Sequence, residues 1–167
     1  AHRTGAHGVS HWNRRVERWL QERLGVDWLP SWYAGQPLLV TANDYGLDLF
    51  NGDSGVVVRR SGGESALVAR MTDGAPGPGR EVALGRLADV ETAHALTVHR
   101  SQGSQYGAVT VVLPPADSPL LTREMLYTAV TRAREFVRIV GTEDAVRAAV
   151  ERPVARASGL RQRLAAP

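Results

Sequence analysis

Two residue types are missing from this chain of 167 residues: it has no cysteine, and all 20 of its basic residues are arginine, so it also has no lysine. The absence of cysteine excludes disulfides, thiolate nucleophiles, and zinc or iron–sulfur sites with cysteine ligands. The absence of lysine excludes Schiff-base chemistry and the phosphate-binding loop G-x-x-x-x-G-K-[ST]. A GC-rich coding sequence, which favours arginine codons, accounts for the bias at most positions. Whatever the cause of the bias, the chain lacks lysine, the residue that normally binds the β and γ phosphates of ATP.

Long apolar runs are also missing. No stretch approaches the 18 consecutive apolar residues that a membrane span requires. The first eight residues are polar and rich in glycine and histidine, without the apolar centre of a signal peptide. We therefore expect no membrane contact and a cytoplasmic protein, or a fragment of one. A composition of 43% hydrophobic and 22% charged residues is typical of a globular domain.

The net charge of +3 is unevenly distributed along the chain. Residues 1–91 carry ten arginines and eleven acidic residues, whereas residues 92–167 carry ten arginines and only six acidic residues. A basic half of this kind can face an anion such as nucleic acid or a nucleotide, and it can equally be a solvated face. Charge alone leaves both interpretations open.

The first half of the chain predicts a helix followed by short strands. Apolar spacing predicts an amphipathic helix over residues 10–24, with Ser10 as its N-cap and Gly25 as a left-handed C-terminal residue. A connector follows up to residue 36. Closely spaced turn signals between short apolar runs then predict a small antiparallel barrel over residues 37–90. Its predicted strands are 37–42, 55–60, 65–71 and 80–84.

The second half predicts alternating strands and helices, which indicates a parallel α/β sheet. The run over 108–113 is nearly all apolar, as expected of a strand buried on both faces. Thr122 and Thr142 are predicted N-caps, and Leu121 and Leu126 a hydrophobic staple. The predicted strands are 93–99, 108–113 and 136–140; the predicted helices are 122–135, 142–152 and a short basic turn within 157–164. The fold is therefore α/β, with an antiparallel insert dividing it into residues 1–36, 37–90 and 91–167.

Two segments contain residue types suited to chemistry. Residues 95–106 lead from a predicted strand into a loop with hydroxyls, a guanidinium and glycines, which suit contact with phosphates. A polar loop after a strand is the alternative. Residues 126–135 place Arg132 and Arg134 on a predicted helix, where they are candidates for chemistry. The alternative is an ordinary helix on which both arginines are solvated.

Three stretches of the sequence are distinctive: residues 41–45 with 49–53, residues 97–104, and residues 120–124 with 127–134. Together they resemble the C-terminal part of the RecD family, superfamily 1 DNA helicases that form the helicase subunit of exonuclease V. The second stretch resembles helicase motif V, the third resembles motif VI, and the opening residues 2–9 resemble the end of the motif IV region.

The resemblance implies a fold and an activity. The fold is a second RecA-like domain that carries an inserted barrel similar to a Src-homology-3 domain. The activity is ATP-dependent 5′-to-3′ unwinding of DNA during double-strand-break repair and recombination. ATP and Mg²⁺ would sit in the cleft shared with the first RecA-like domain, which holds the phosphate loop and the magnesium motif. The fragment alone would be inactive and would hold no metal. Implied partners are single-stranded DNA, the other subunits of exonuclease V and the first RecA-like domain of the same parent chain.

The resemblance also implies roles for individual residues. Arg132 matches the motif VI arginine finger on the γ-phosphate, and Arg134 supports the site or forms a salt bridge. Arg100 replaces the usual lysine and keeps the charge, whereas Gln105 replaces an acid that usually reaches the ribose. The implied nucleotide-side residues are Arg132, Gln102, Gly103, Gln105 and Arg3; the implied DNA contacts are Thr97, His99, Arg100 and Ser101.

Three alternatives stay open. The residues of the first stretch, Asn43, Asp44 and 51–53, are typical turn-formers and also candidate DNA contacts. The parent can be a stand-alone RecD-like helicase without exonuclease partners. The chain can also be a non-catalytic module that binds nucleic acid or protein.

Overall fold

The computed structural model describes residues 5, 8–27, 29–60, 66–72 and 79–154, which belong to two compact units divided between residues 104 and 105. The first unit contains one helix and an antiparallel sheet, and the second contains a parallel strand pair and two helices. The elements of the first unit are α1 (Val9–Leu24), β1 (Pro37–Val40), β2 (Ser54–Arg59), β3 (Leu67–Thr72), β4 (Arg80–Ala83) and β5 (Val90–Thr92). Those of the second are β6 (Tyr106–Val112), α2 (Arg123–Val130), β7 (Ala133–Val140) and α3 (Glu143–Glu151).

Helix α1 begins one residue earlier than predicted. Gly8 is its N-cap in an extended conformation, and the Gly8 carbonyl accepts from the Trp12 N–H at 3.1 Å. Ser10 therefore lies inside the first turn, and its predicted role as the cap is wrong. At the other end Gly25 adopts φ 65°, a left-handed conformation that glycine reaches without steric cost. The predicted C-terminal residue is confirmed.

The five strands of the first unit form one antiparallel sheet in the order β4-β3-β2-β1-β5. All four strands predicted over 37–84 are present, within two residues of the expected bounds. Val57 pairs with Ala69 on the buried face, and both are fully buried. The core of this unit consists of Leu38, Val40, Leu47, Leu49, Val57, Ala69, Met71 and Val82.

The sheet of the first unit is open among the described residues. Its outer strands β4 and β5 each pair on one side only. A closed barrel, and with it the likeness to a Src-homology-3 domain, is therefore not confirmed. Strand β5 also crosses the expected boundary at residue 90, although the domain limits themselves stay a prediction.

The strand predicted over 93–99 is wrong. Its backbone N–H groups donate elsewhere: that of Ala95 donates to the Asn13 side chain at 2.8 Å. The chain then enters a 3-10 turn, His99–Ser101, in which the Ser101 N–H donates to the Thr97 carbonyl at 3.2 Å. Because these groups are used locally or by a distant side chain, they form no ladder with a neighbouring strand.

The second unit contains the predicted parallel pair. Strands β6 and β7 pair in parallel, with Val109 opposite Val137 and Val111 opposite Ile139. The predicted burial of β6 on both faces is wrong, because only Val111 is fully buried within it. The described residues supply two strands and two helices here, which are too few to cover both faces.

Helices α2 and α3 begin as predicted. The Thr122 and Thr142 hydroxyls accept from backbone N–H groups three residues ahead, at 3.3 and 3.2 Å. Leu121 and Leu126 lie in one apolar cluster with Ala145 and other small residues, as the predicted staple requires. Thr122 and Leu121 are both buried.

Helix α2 ends at Val130, five residues before its predicted end at 135. The Arg132 carbonyl accepts from the Tyr106 N–H at 2.8 Å, and the chain continues as β7 from Ala133. Pairing with β6 thus replaces the helical hydrogen bonds that residues 133–135 would have made. Arg132 lies in the turn between α2 and β7, and Arg134 lies on β7. The helical placement predicted for both is wrong.

Candidate functional site

The turn over residues 97–103, which belongs to the first unit, holds all four implied DNA contacts. The Thr97 hydroxyl accepts from the Arg100 N–H at 3.3 Å, and the Ser101 hydroxyl donates to the Val98 carbonyl at 2.8 Å. Ser101 is only 8% exposed, so its side chain shapes the turn from within. Hydroxyls used in this way close a tight turn without a regular helix.

Side chains on the outside of this turn are accessible. His99 and Gln102 are exposed. Arg100 Nη1 donates to Glu91 Oε2 at 3.0 Å, an ion pair near the surface that orients the guanidinium and adds little stability. Gly103 has φ 86°, a conformation that favours glycine and turns the chain out of the segment.

Arg132 is the best-anchored arginine among the predicted site residues. Its Nε donates to the Thr128 carbonyl at 3.0 Å, and its Nη2 donates to the Thr131 hydroxyl at 3.2 Å. The side chain thus lies against the C-terminal end of α2, where helix carbonyls carry partial negative charge. The permanently charged, planar guanidinium is held in one orientation before any ligand arrives.

Arg134 and Gln105 meet in the second unit. Arg134 Nε donates to Gln105 Oε1 at 3.3 Å, and both side chains are exposed. Gln105, which stands where the resemblance leads one to expect an acid, therefore contacts the second arginine of the motif.

The predicted site residues fall into two groups, each within one unit. Arg132, Gln105 and Arg134 lie around the start of the β6–β7 pair in the second unit. Residues 97–103 form the turn of the first unit. Arg3, the rest of residues 2–4 and the tail 157–164 lie outside the described residues.

The polar residues over 43–53 form turns. Asn43 Oδ1 accepts from the Asn51 N–H at 2.9 Å, and Asp44 Oδ1 accepts from the Leu47 N–H at 3.0 Å. Asp53 Oδ2 accepts from the Phe50 N–H at 2.8 Å. These contacts support the interpretation of Asn43, Asp44 and Asp53 as turn-formers.

Sequence reasoning did not identify the polar contacts that hold residues 92–95. Asn13 Nδ2 donates to the Thr92 carbonyl at 2.7 Å, and Gln36 Nε2 donates to the Thr92 hydroxyl at 2.9 Å. Tyr33 Oη lies 2.7 Å from His94 Nε2. An asparagine within an amphipathic helix was the available signal, but its partners are distant in sequence.

The Tyr33–His94 contact has a defined proton arrangement at neutral pH. Burial raises the pKa of Tyr33 to about 12, and the nearby Glu17 carboxylate acts in the same direction. Burial lowers the pKa of His94, against the opposing effect of Glu17. The phenol therefore stays protonated and the imidazole stays neutral, and the 2.7 Å contact is a hydrogen bond between two uncharged groups.

Neither a metal cluster nor a membrane span is found in the part of the chain that the structure describes. No group of three or more histidine, aspartate or glutamate side chains there could hold a metal ion. No described helix is both long and apolar enough to cross a bilayer.

Residues 92–140 match the family described as the UvrD-like helicase C-terminal domain. The chain carries a UvrD-like helicase C-terminal domain. The matched residues include both the 97–103 turn and Arg132, so both parts of the candidate site lie within this helicase domain.

The relatives confirm the resemblance to RecD. Over 165 residues the chain is 61% identical to the RecBCD enzyme subunit RecD of Mycobacterium tuberculosis, covering 98% of this chain and 28% of that protein. Over 164 residues it is 58% identical to the RecD subunit of Mycolicibacterium smegmatis, covering 98% and 28%. The ATP-dependent RecD2 DNA helicase of Deinococcus radiodurans is 38% identical over 133 residues, covering 79% and 18%. The chain thus spans little more than a quarter of the length of the mycobacterial relatives.

Among solved structures, a Pif1 helicase from Bacteroides in complex with ADP-AlF3 and ssDNA is similar, with a TM-score of 0.47 and 16% identity over 90% of this chain and 42% of that one.

Proposed function

We propose that this chain is the C-terminal motor domain of an ATP-dependent 5′-to-3′ DNA helicase, acting as the RecD-type subunit of exonuclease V in double-strand-break repair. The observation that carries the proposal is the 61% identity to a RecBCD subunit over 98% of the chain. The identities of 61% and 58% to the two mycobacterial RecBCD subunits, over 98% of the chain, exceed the 38% to the RecD2 helicase over 79% of the chain and favour the exonuclease V subunit over a stand-alone helicase.

In this proposal Arg132 is the arginine finger for the γ-phosphate. It occupies the motif VI position, and it falls within the residues that match the helicase family. Because Thr128 and Thr131 already orient its guanidinium, little reorganisation is needed when charge develops on the phosphate. Arg134 acts through Gln105, which it contacts.

The 97–103 turn supplies the single-stranded DNA contacts. Thr97, His99 and Arg100 contact the sugar–phosphate backbone, and Ser101 contributes by holding the turn. The residues on the nucleotide side contact the bound nucleotide in this proposal; besides Arg132 they are Gln102, Gly103, Gln105 and Arg3. The proposed DNA interface therefore depends on the turn's shape as much as on its charge.

ATP and Mg²⁺ are held mainly by the first RecA-like domain in this proposal. The lysine-free sequence supports this, since a phosphate loop needs lysine. The 167-residue chain alone is then inactive and supplies only the finger and part of the DNA track. In sequence, the open sheet over residues 37–92 corresponds to the inserted barrel that the resemblance implies.

The test is Arg132→Ala in the complete helicase polypeptide. We expect ATP binding to persist and DNA-stimulated hydrolysis to fall by roughly 10³-fold or more, the size of the effect of a lost arginine finger. Binding is measured with a fluorescent ATP analogue, and hydrolysis by phosphate release with saturating single-stranded DNA. Arg132→Lys should not restore turnover, because an ammonium lacks the planar fork.

Arg138→Ala is the matched control, since Arg138 is an exposed arginine on β7 that stacks on Phe136. We expect it to hydrolyse ATP at the wild-type rate. Normal turnover in Arg132→Ala would refute the finger role. Hydrolysis by the purified 167-residue chain would refute the division of the motor between two domains.

The stand-alone alternative is separated by a different measurement. The proposed subunit should co-purify with the other exonuclease V subunits when they are co-expressed. A polypeptide that unwinds forked DNA at full rate and forms no complex with them would instead be a RecD2-like helicase.

A further inference from the structure

Residues 92–95, shortly before the 97–103 turn, each make a hydrogen bond, although residues 93–95 form no regular structure. Strand β5 ends at Thr92, and the next three residues have no strand partner. The Ala93 N–H nevertheless donates to the Pro37 carbonyl at 2.9 Å, and the Ala95 N–H donates to Asn13 Oδ1 at 2.8 Å. These contacts extend the order of the sheet to within two residues of Thr97.

Asn13 binds this segment through both ends of its amide. Its Nδ2 donates to the Thr92 carbonyl at 2.7 Å while its Oδ1 accepts from the Ala95 N–H. The two bonds connect helix α1 to residues 79 and 82 positions further along the chain. A carboxylate of the same shape could accept but not donate, and an alkyl side chain could do neither.

Two further side chains hold the same segment from the connector before β1. Gln36 is 4% exposed, and its amide donates to the Thr92 hydroxyl and accepts from the Tyr33 N–H at 3.2 Å. Tyr33 in turn contacts His94 through its hydroxyl and by stacking, with the rings inclined by 15°. Asn13 is the only one of these three that belongs to α1.

We propose that Asn13 is a positioning residue, whose amide holds residues 92–95 in register with α1 and thereby sets the 97–103 turn for single-stranded DNA. The inference rests on the proposed function of that turn. Helix α1 begins at Val9, the last of the residues 2–9 that resemble the end of the motif IV region. The amide of Asn13 therefore connects the segment before the 97–103 turn to the helix that begins there.

The test compares Asn13→Ala with Asn13→Asp in the complete helicase polypeptide. Alanine removes both bonds, whereas aspartate keeps the acceptor for Ala95 and loses the donor to Thr92. We expect the single-stranded DNA concentration for half-maximal ATP hydrolysis to rise roughly tenfold in Asn13→Ala, because two partly buried backbone groups lose their partners. The increase should be smaller in Asn13→Asp. The kcat at saturating DNA should stay within about twofold, since Arg132 is untouched.

Hydrogen exchange provides a readout that is independent of activity. The amide of Ala95 should lose protection in Asn13→Ala and keep it in Asn13→Asp, and the amide of Ser101 should lose protection in Asn13→Ala. Gln21→Ala is the control, because Gln21 lies on α1 and its side chain makes no hydrogen bond to another described residue. It should match the wild type in both measurements.

Two results would overturn the inference. The first is an unchanged half-maximal DNA concentration in both Asn13 variants. The second is a decrease in kcat that parallels a decrease in thermal stability, with no change in the half-maximal DNA concentration. If the wild-type helicase hydrolyses ATP without any response to DNA, the proposed function fails instead. Hydrogen exchange alone then decides the positioning role. Unchanged protection of the Ser101 amide in Asn13→Ala would refute it.

Discussion

The two units differ in how much apolar surface each buries within itself. The first unit has a core of eight buried residues from four strands and the turn between β1 and β2, including the fully buried Val57. In the second unit the buried apolar cluster has only three residues, Leu121, Ala145 and Ala149; Val111 and Ala129 are buried outside it, and Phe136 on β7 is 54% exposed. Among the described residues, only the first sheet has a large apolar interior of its own.

The second unit depends instead on bonds between side chains and backbone. Arg152 donates to the Ser118 and Ala116 carbonyls at 2.7 and 2.9 Å, and Arg123 donates to the Val150 carbonyl at 2.9 Å. Such bonds fix helix ends and loops but each adds only about 1 kcal/mol to stability. A well-defined arrangement can thus be reached without a large core.

Leu38→Ala should have the largest effect on stability. Leu38 is 1% exposed in the core of the first unit, and its truncation should cost about 3 kcal/mol through lost burial and a cavity. All four tryptophans lie in this unit, so tryptophan fluorescence during urea unfolding of the 167-residue chain reports on it selectively. Leu24→Ala, at a 65% exposed position, is the control and should change little. An unchanged midpoint for Leu38→Ala would mean that this core does not determine stability.

Thr142→Ala should have a smaller effect, confined to the second unit. Losing the N-cap of α3 should cost about 1 kcal/mol, and Thr142→Ser should restore most of it. Hydrogen exchange of the Ala145 and Val146 amides measures the change. Tryptophan fluorescence should not respond. A parallel shift in both probes would instead show that the two units unfold in one cooperative transition, and the effect would not be confined to the second unit.

A change of pH should have the smallest effect, again in the first unit. Because burial lowers the pKa of His94 below its usual 6.5, the unfolded chain takes up a proton first as the pH falls. The contribution of neutral His94 to the free energy of unfolding is complete above pH 6.5. It is lost as the pH falls from about 6.5 towards the lowered pKa of His94 in the folded chain. His94→Gln should flatten this part of the stability profile measured by tryptophan fluorescence. An equal slope in that variant would assign the effect to other groups.

Local signals were sufficient for much of the fold. The Asn51-Gly52 turn and the flanking apolar runs located the strands of the first unit, and threonine before an acidic first turn located the starts of α2 and α3. The end of α2 could not be predicted, because apolar residues continue at helical spacing through Ala133. What ends the helix is pairing with β6, and no local pattern contains that information.

The candidate site stays a prediction. Motif order points to Arg132 and the 97–103 turn, whereas periodicity alone favours an ordinary helix whose arginines are solvated. The error over residues 93–99 arose because alternation resembles a strand, while the actual partners are Asn13 and Gln36, far away in the sequence. Long-range polar contacts of this kind leave no periodic signal.

The carbonyl of Arg132 has one consequence for how force would travel within the second unit. The second unit starts at Gln105, and the next residue, Tyr106, donates to that carbonyl. A pull on the chain at Gln105 would therefore reach the backbone of Arg132 through Tyr106 and one hydrogen bond, without travelling around α2. The first link between the start of this unit and the arginine is thus a single amide of β6, ahead of the rest of the β6–β7 ladder.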